Sequence, residues 1–190
     1  METLSYQVPG LLKVPNFVTP SEEADFIKYI DENQALWLTD LKRRVQHYGY
    51  RYSYRKNRLP AYIGPLPDWL HLLGVRLHDA GLMSSTADQA IINEYLPGQN
   101  ISPHIDREYF GPEIVTLSLN STCVMLFKRA STGEEEEIFL EPRTLLVLKG
   151  EARTSWTHAI PKRKSDFWAG TTYQRGRRLS VTLRTVLGEY

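Results

Sequence analysis

The sequence contains a single cysteine, Cys123, so it cannot form an internal disulfide bond. Cys123 lies in an apolar run, where a thiol behaves as a small buried hydrophobic group. The sequence also lacks any hydrophobic run of the roughly 20 residues that a membrane-spanning helix needs, and its first residues lack the basic start and apolar core of a signal peptide. These absences predict a protein of a reducing compartment, cytoplasmic or nuclear, without a membrane partner.

Neither a Gly- or Ser-rich linker nor an internal repeat divides the chain. Its 190 residues suit one domain, 1–190, with one core, and we expect a monomer. The net charge of +1 conceals an uneven distribution, because residues 42–58 carry seven Lys and Arg side chains and no acidic one. Four consecutive glutamates follow at 134–137. Since a local basic face attracts phosphate groups even in a nearly neutral chain, the segment indicates a nucleic-acid partner.

Two helices are predicted in the N-terminal half. Thr19-Pro20-Ser21-Glu22 has the pattern of a capping box with proline at the first helical position. Asp68 is placed to cap a second helix, which has leucines along one side and Gly81 at its end. The stretch between them is basic and rich in tyrosine and proline, and it predicts short strands and loops.

After Gly81 the sequence changes to short β-prone segments separated by turn residues. They lie at 89–96, 114–119, 123–127, 138–140, 144–149 and 178–186. Closely spaced strands predict a barrel or a sandwich of two sheets. The expected class is α+β, dominated by a double-stranded β-helix (jelly roll) with the N-terminal helices packed on one face.

The last predicted strand alternates clearly between polar and apolar residues. Side chains two apart share a face of a strand, so one face is apolar and the other carries the guanidinium groups of Arg178 and Arg184. An edge strand with its polar face in water would show the same alternation. The strand alone therefore does not distinguish a site from a solvated edge.

A candidate metal site is formed by His104, Asp106 and His158. His104 and Asp106 are two positions apart, so on an extended segment both side chains point the same way. Two imidazoles and one carboxylate are a facial ligand set for non-haem iron(II), which leaves positions open for a co-substrate and O₂. His-x-Asp is common by chance, and His158 alone could be an ordinary half-buried histidine. The other candidates are His47, His71 and His78.

Further polar residues could bind an anion near this metal set. Asn93 and Tyr95 are two apart on a predicted strand and can each donate a hydrogen bond to a carboxylate. Arg178 and Arg184 offer bidentate hydrogen bonds to a carboxylate. About 20 Å of strand separates these arginines, so both can serve one small dianion only if their side chains lean inward. One of them could instead support a metal-ligating carboxylate.

Taken together, these residues resemble the AlkB family of iron(II)- and 2-oxoglutarate-dependent dioxygenases. The resemblance is carried by N-x-Y at 93–95, H-x-D at 104–106, the distant His158 and R-x5-R at 178–184, in that order. It implies that His104, Asp106 and His158 are the catalytic iron ligands. It also implies a 2-oxoglutarate site lined by Asn93, Tyr95, Arg178, Ser180 and Arg184. Ser180 stands where other members can have Asn.

The resemblance implies an oxidoreductase that couples decarboxylation of 2-oxoglutarate, with O₂, to hydroxylation of a substrate C–H bond. On an N-methyl base the product loses formaldehyde. The leading expectation is therefore oxidative demethylation of alkylated nucleobases in DNA or RNA, single-stranded or with the base flipped out. Alternatives are hydroxylation of a modified RNA nucleoside, in tRNA for example, or of a protein side chain. A non-catalytic nucleic-acid binder on a retired oxygenase fold is a third class.

Residues 38–67 are expected to form a substrate-recognition lid, because the segment around Tyr50, Arg51 and Tyr52 resembles the nucleotide-recognition lid of the bacterial enzyme. Aromatic rings can stack on an extruded base while cations meet phosphates. Glu108 resembles an acidic residue that some members place beside the base. The structural alternatives are a tyrosine-rich hairpin packed on the barrel and a solvated loop carboxylate.

Two charge features bear on the substrate. A cleft rimmed by Arg43, Arg44, Arg51 and Arg55 would favour nucleic acid over protein. The glutamates at 134–137 depart from family members that carry a basic substrate contact there, and we expect them to form a solvated turn.

Overall fold

Two antiparallel sheets dominate the computed structural model, which describes residues 4–52 and 60–188. The strands are β1 Leu4–Ser5, β2 Leu11–Val14, β3 Val45–Tyr48, β4 Tyr50–Arg51, β5 Ala61–Tyr62, β6 Gln89–Tyr95, β7 Ile101–His104, β8 Ile114–Leu119, β9 Cys123–Arg129, β10 Glu135–Leu140, β11 Leu145–Leu148, β12 Trp156–Ile160, β13 Ser165–Trp168, β14 Thr171–Gln174 and β15 Arg178–Arg184. The helices are α1 Pro20–Glu32, α2 Asp68–Asp79 and α3 Glu151–Thr154, with a 3₁₀ turn at Gln34–Leu36.

The larger sheet has seven strands in the order β1-β2-β11-β8-β15-β6-β3, and the smaller has four in the order β10-β9-β12-β7. Neighbouring strands are antiparallel in both sheets. A cavity lies between the sheets and is lined by side chains from each of them. This arrangement confirms the predicted jelly roll.

The helices cover the outer face of the larger sheet, as predicted. Leu179, Val181 and Leu183 of β15 face a core that also contains Ile30 of α1 and Leu70 of α2. The alternate residues of β15 are also buried, but they face the inter-sheet side. Because successive strand residues point to opposite faces, one strand supplies both the apolar core and part of the cavity wall.

The predicted helix starts are confirmed for α1 and corrected for α2. The Thr19 hydroxyl accepts a hydrogen bond from the Glu22 N–H (3.2 Å), and the Glu22 carboxylate accepts one from the Thr19 N–H (2.7 Å). In α2 the cap position belongs to Pro67, and Asp68 is the first helical residue, so the prediction that Asp68 caps this helix was wrong. An acidic group in the first turn still interacts favourably with the helix dipole.

The prediction of a solvated turn at 134–137 is wrong for three of the four glutamates. Glu135 to Glu137 begin β10 and pair with Lys128 to Leu126 of β9. The Glu135 carboxylate lies 2.7 Å from the Lys128 ammonium across the strands. An exposed edge strand tolerates this run of like charge because cations of neighbouring segments offset it.

The predicted lid contains the short β4–β5 hairpin next to β3. Gly49 joins β3 to β4 with a φ of +73°, and a Cβ at this position would lie 1.8 Å from the Asp88 carbonyl oxygen. Only glycine fits such a close approach of two main chains. The middle of the predicted lid, 53–59, lies outside the described residues and includes Arg55 of the predicted rim.

Among the described residues, no helix combines the length and the apolar character that crossing a membrane requires.

Candidate active site

Strand pairing brings the three predicted metal ligands together. His158 in β12 lies directly opposite His104, the last residue of β7, and Asp106 follows in the next loop. One ligand atom from each residue lies within 4.8 Å of the other two. His158 lies within its strand, not where a strand meets a loop as expected. The other three histidines are elsewhere: His47 is buried in β3, and His71 and His78 are exposed on α2.

The protonation of these groups suits a divalent metal. His104 Nδ1 lies 2.8 Å from the Ser102 carbonyl oxygen, which can only accept, so Nδ1 carries the proton and Nε2 remains a ligand atom. Burial and the neighbouring His104 lower the pKa of His158 to about 3, which leaves this imidazole neutral at pH 7. Burial raises the pKa of Asp106, but Arg184 and the two imidazoles outweigh it, so the group remains a carboxylate.

Arg153 of α3 fixes the loop that carries Asp106. Its buried guanidinium donates to the main-chain oxygens of Asp106 (3.0 Å), Arg107 (2.6 Å) and Phe110 (3.3 Å). One side chain thus replaces the secondary structure that would otherwise satisfy these carbonyls. No signal in the sequence indicated this role, since the acceptors are main-chain atoms 43 to 47 positions away.

Arg184 supports the metal-binding carboxylate. Its Nη2 lies 3.4 Å from Asp106 Oδ1. The guanidinium lies 4.3 Å from the ring centroid of Phe110 and 5.5 Å from that of Tyr52, and these two rings are stacked. Its Nε and Nη1 atoms are buried without a hydrogen-bond partner in the described part of the chain. One of the two alternatives for the arginine pair, a brace for the carboxylate, therefore matches the geometry of Arg184.

Arg178 lies at the other end of β15 and has a different environment. Its Nη2 donates to the Ser118 hydroxyl (2.8 Å), and the guanidinium lies 5.6 Å from the Tyr95 ring centroid. Nε and Nη1 are buried and have no partner within 4–52 and 60–188. Leaving a buried donor unpaired costs roughly 1–3 kcal/mol, so these atoms indicate an acceptor that the described residues do not supply. Arg178 lines a small adjoining cavity, not the main one.

The main cavity has a volume of about 310 Å³. It contains the three candidate metal ligands and four of the five residues predicted for 2-oxoglutarate: Asn93, Tyr95, Ser180 and Arg184. Arg43 also lines it, and its Nε donates to Asn93 Oδ1 (2.8 Å). Sequence reasoning placed Arg43 only on a rim. No sequence pattern marked Arg43, because it precedes β3 and its side chain bonds to a residue 50 positions away.

The four predicted substrate residues are dispersed. Tyr52 lines the cavity and contacts Arg184. Tyr50 packs edge-on against Tyr62 (5.2 Å) in the hairpin, and Arg51 is exposed. Glu108 is exposed, and neither it nor Tyr50 or Arg51 lines the main cavity.

A family model described as the 2OG-Fe(II) oxygenase superfamily matches residues 10–184. The chain belongs to this superfamily. It is therefore a 2-oxoglutarate-dependent dioxygenase domain whose cofactors are Fe(II), 2-oxoglutarate and O₂, as the sequence predicted. The donor set of two neutral imidazoles and one carboxylate fits Fe(II), and the unpaired N–H groups of Arg178 and Arg184 fit an anionic co-substrate.

Similar proteins place the chain among AlkB-like oxygenases. "Alkylated DNA repair protein ALKBH8 homolog" of Arabidopsis thaliana is 37% identical, over 94% of this chain and 59% of its own length. "tRNA (carboxymethyluridine(34)-5-O)-methyltransferase alkbh8" of Xenopus tropicalis is 39% identical, over 83% of this chain and 26% of its own. The chain thus spans only part of these two relatives. The solved structure of OsALKBH1 has a TM-score of 0.71 at 17% identity, with 95% of this chain and 100% of that chain covered, which supports the fold.

Proposed function

We propose that this oxygenase domain hydroxylates a substituent on a modified uridine of RNA, with tRNA as the first candidate. The charge of the cavity carries this proposal. Besides the three candidate metal ligands, the cavity is lined by four ionisable side chains: two arginines, Arg43 and Arg184, and two tyrosines, Tyr52 and Tyr95. Asp106 is the one carboxylate among the described lining residues, and the metal would use it.

This charge distribution discriminates between classes of base. Bases methylated at a ring nitrogen, such as 1-methyladenine and 3-methylcytosine, are cations, and the two guanidinium groups of the cavity wall disfavour them. A uracil ring is neutral and can carry an acidic substituent. Arg184 interacts with Asp106, whereas Arg43 donates a hydrogen bond to the neutral amide of Asn93. The cavity therefore favours a neutral or acidic base over a cationic one.

The names of two relatives support a modified uridine of RNA as the substrate and also suggest a second candidate substrate. The Xenopus relative is named for carboxymethyluridine at position 34 of tRNA. The Arabidopsis relative is named for repair of alkylated DNA. Oxidative demethylation of an alkylated base is the second candidate, because Tyr52 offers an aromatic ring at the cavity on which a flipped base of either kind can stack.

Separate groups of residues would bind the metal and the co-substrate. His104, Asp106 and His158 would hold Fe(II), and Asn93, Tyr95, Arg178, Ser180 and Arg184 would line the 2-oxoglutarate site. Bound together, Fe(II), 2-oxoglutarate and O₂ supply the oxidising power that inserts oxygen into a C–H bond. Arg184 keeps Asp106 charged and oriented. Apolar side chains exclude water from the cavity: Ile101, Met125, Leu146, Leu148 and Ile160.

The test compares substrates under identical anaerobic loading with Fe(II) and 2-oxoglutarate, followed by O₂. The substrates are an anticodon stem-loop RNA with carboxymethyluridine or its methyl ester at the wobble position, the same RNA with plain uridine, and oligonucleotides containing 1-methyladenine or 3-methylcytosine. We expect the modified uridine to gain one oxygen atom by mass spectrometry, with stoichiometric succinate. His104→Ala is the inactive control, and exposed His71→Ala is the matched active one.

Loss of a methyl group from the cationic bases, with no change in the uridine RNA, would replace the first candidate by the second. Arg43→Gln sharpens the comparison. It should raise the KM for the acidic uridine by about tenfold, since it removes a cation from the wall, and should not raise the KM for a cationic base.

A further inference from the structure

A second groove opens beside the central cavity, and Leu41 lines both. The groove has a volume of about 620 Å³. Its wall contains three cations, Lys42, Arg44 and Arg177, together with the exposed side chain of Leu96. A polymer whose target base enters the cavity could continue along this groove without leaving the protein surface.

Ion pairs fix the two arginines of the groove. Glu94 is the one acidic residue among its described lining residues, and it accepts hydrogen bonds from Arg44 (2.9 Å) and Arg177 (2.6 Å). Arg177 also contacts Asp31 of α1 (2.9 Å), and Arg44 lies 4.4 Å from the ring centroid of Trp37. The charges of the two guanidinium groups and of the Glu94 and Asp31 carboxylates cancel. The ammonium group of Lys42 therefore gives the groove a net positive charge.

A second exposed lysine extends this positive surface across the turn after β6. The Gln99 amide donates to the Lys42 carbonyl oxygen (2.6 Å), and the Gly98 N–H donates to the Arg163 carbonyl oxygen (3.2 Å). A Cβ at Gly98 would lie 3.8 Å from Lys164 Cγ, so the stem of Lys164 crosses this turn. Two ammonium groups therefore flank the turn at 96–99.

Neither ammonium group is neutralised nearby. Lysine ion pairs in the described part of the chain are made by Lys13, Lys28 and Lys128. Lys42 and Lys164 are both exposed and form none there. Exposed, unpaired cations beside an active-site opening suit the phosphates of a polyanion, because such contacts release bound counterions.

We propose that the groove lined by Lys42, Arg44 and Arg177, with Lys164 across the turn, binds the phosphates that flank the target nucleotide of a single-stranded RNA segment. The proposal rests on the proposed function, because it takes the base in the cavity to belong to RNA. Leu96, 46% exposed, gives a ribose or base of the flanking nucleotide an apolar contact. The cations set the path of the strand and not the identity of the base.

The experiment compares Lys42→Glu and Lys164→Glu with the wild-type domain and with Lys149→Glu. Lys149 is also exposed, but it follows β11, three strands from β6 and so about 14 Å away across the sheet. Binding of a fluorescently labelled anticodon stem-loop is measured by anisotropy over a salt series. KM is measured for the stem-loop and for the modified mononucleoside, which has no phosphate. Melting temperatures confirm that each variant folds.

We expect each groove variant to bind the stem-loop about tenfold more weakly than the wild type. The magnitude of the slope of log affinity against log salt concentration should decrease by about one. The KM for the stem-loop should rise more than the KM for the mononucleoside, and Lys149→Glu should match the wild type. Wild-type affinity and salt slope in both groove variants would overturn the groove proposal, even if the RNA is oxidised.

The two proposals fail separately. If no RNA is oxidised but the groove variants, and not Lys149→Glu, lose stem-loop binding, the phosphate-binding role of the groove is supported and the proposed reaction is rejected. If the same variants lose binding to a poly-glutamate peptide and not to the stem-loop, the groove is a protein-docking surface and the RNA path is rejected.

Discussion

Single side chains at the centre of this domain have several partners at once. Arg184 contacts the Asp106 carboxylate and lies near the rings of both Phe110 and Tyr52. Arg153 holds the loop on which both Asp106 and Phe110 lie. The position of the metal-binding carboxylate therefore depends on two buried arginines, neither of which needs to touch the metal.

At neutral pH, replacing Arg153 should reduce the free energy of metal binding more than it reduces the free energy of unfolding. Arg153→Ala frees the main-chain oxygens of Asp106, Arg107 and Phe110, so the carboxylate is no longer held for the ion. We expect a 10- to 100-fold loss of affinity for Co(II), measured by calorimetry and by the visible spectrum of the bound ion. Arg153→Lys should recover only part of the loss, since one ammonium cannot reach all three acceptors. Unchanged Co(II) affinity in Arg153→Ala would show that the contacts stabilise the loop alone.

Strand β3 belongs to the larger sheet, and β4 belongs to the hairpin that follows it in the predicted lid. His47 of β3 is buried, and its Nδ1 accepts a hydrogen bond from the Tyr52 N–H (2.8 Å) just after β4. Tyr52 in turn contacts Arg184. The segment after β4 is therefore attached to the candidate site through a histidine that must be unprotonated at Nδ1.

This attachment predicts a pH dependence. Burial, together with Arg184 and Arg51, lowers the pKa of His47 from 6.5 to about 4. Between pH 6.5 and 4 the unfolded chain therefore binds more protons at His47 than the folded chain does. The contribution of His47 to the free energy of unfolding is complete above pH 6.5 and is lost as the pH falls toward 4. The loss reaches about 3 kcal/mol.

Urea unfolding of the metal-free protein at several pH values checks this. His47→Asn retains a hydrogen-bond acceptor near the position of Nδ1 and cannot titrate, so its stability should fall less steeply from pH 6.5 to 4. Since His158 titrates in both proteins, the difference between the two curves isolates His47. Parallel curves would contradict the assignment.

At the scale of the whole molecule, the candidate metal site joins the two sheets of the jelly roll. His104 and His158 belong to the smaller sheet, and Asp106 is held by Arg184 from the larger one. An ion that binds only the folded chain stabilises it by mass action. The stabilisation should therefore appear as global resistance to unfolding.

Adding Mn(II) at about 100 times its Kd should stabilise the apo-domain by about 2.7 kcal/mol, and a chelator should reverse the gain. The change in melting temperature measures it. His104→Ala should abolish the shift, whereas His71→Ala, which removes an exposed imidazole from α2, should retain it. A shift that survives in His104→Ala would place the ion elsewhere.

The sequence alone predicted the parts that depend on local geometry. The Thr19 capping box follows from backbone N–H groups within one helical turn, and the two faces of β15 follow from the twofold alternation of any strand. It did not predict β7, where Pro103 obscures a strand, nor the hairpin of β13 and β14. Nor did it identify Pro67 as the cap of α2, because the two candidate positions are adjacent.

The sequence by itself predicted the fold class, since strand periodicity is a property of short segments, and it named His104, Asp106 and His158 as candidate metal ligands, which the structure brings within reach of one ion. Only the tertiary structure decided that Tyr52 reaches the cavity while Tyr50, Arg51 and Glu108 do not, and that Arg43 and Arg153 belong to the site. These contacts join segments far apart in the chain. Their geometry is set by which strands pair and in which register, and a one-residue change in register would turn each side chain to the opposite face.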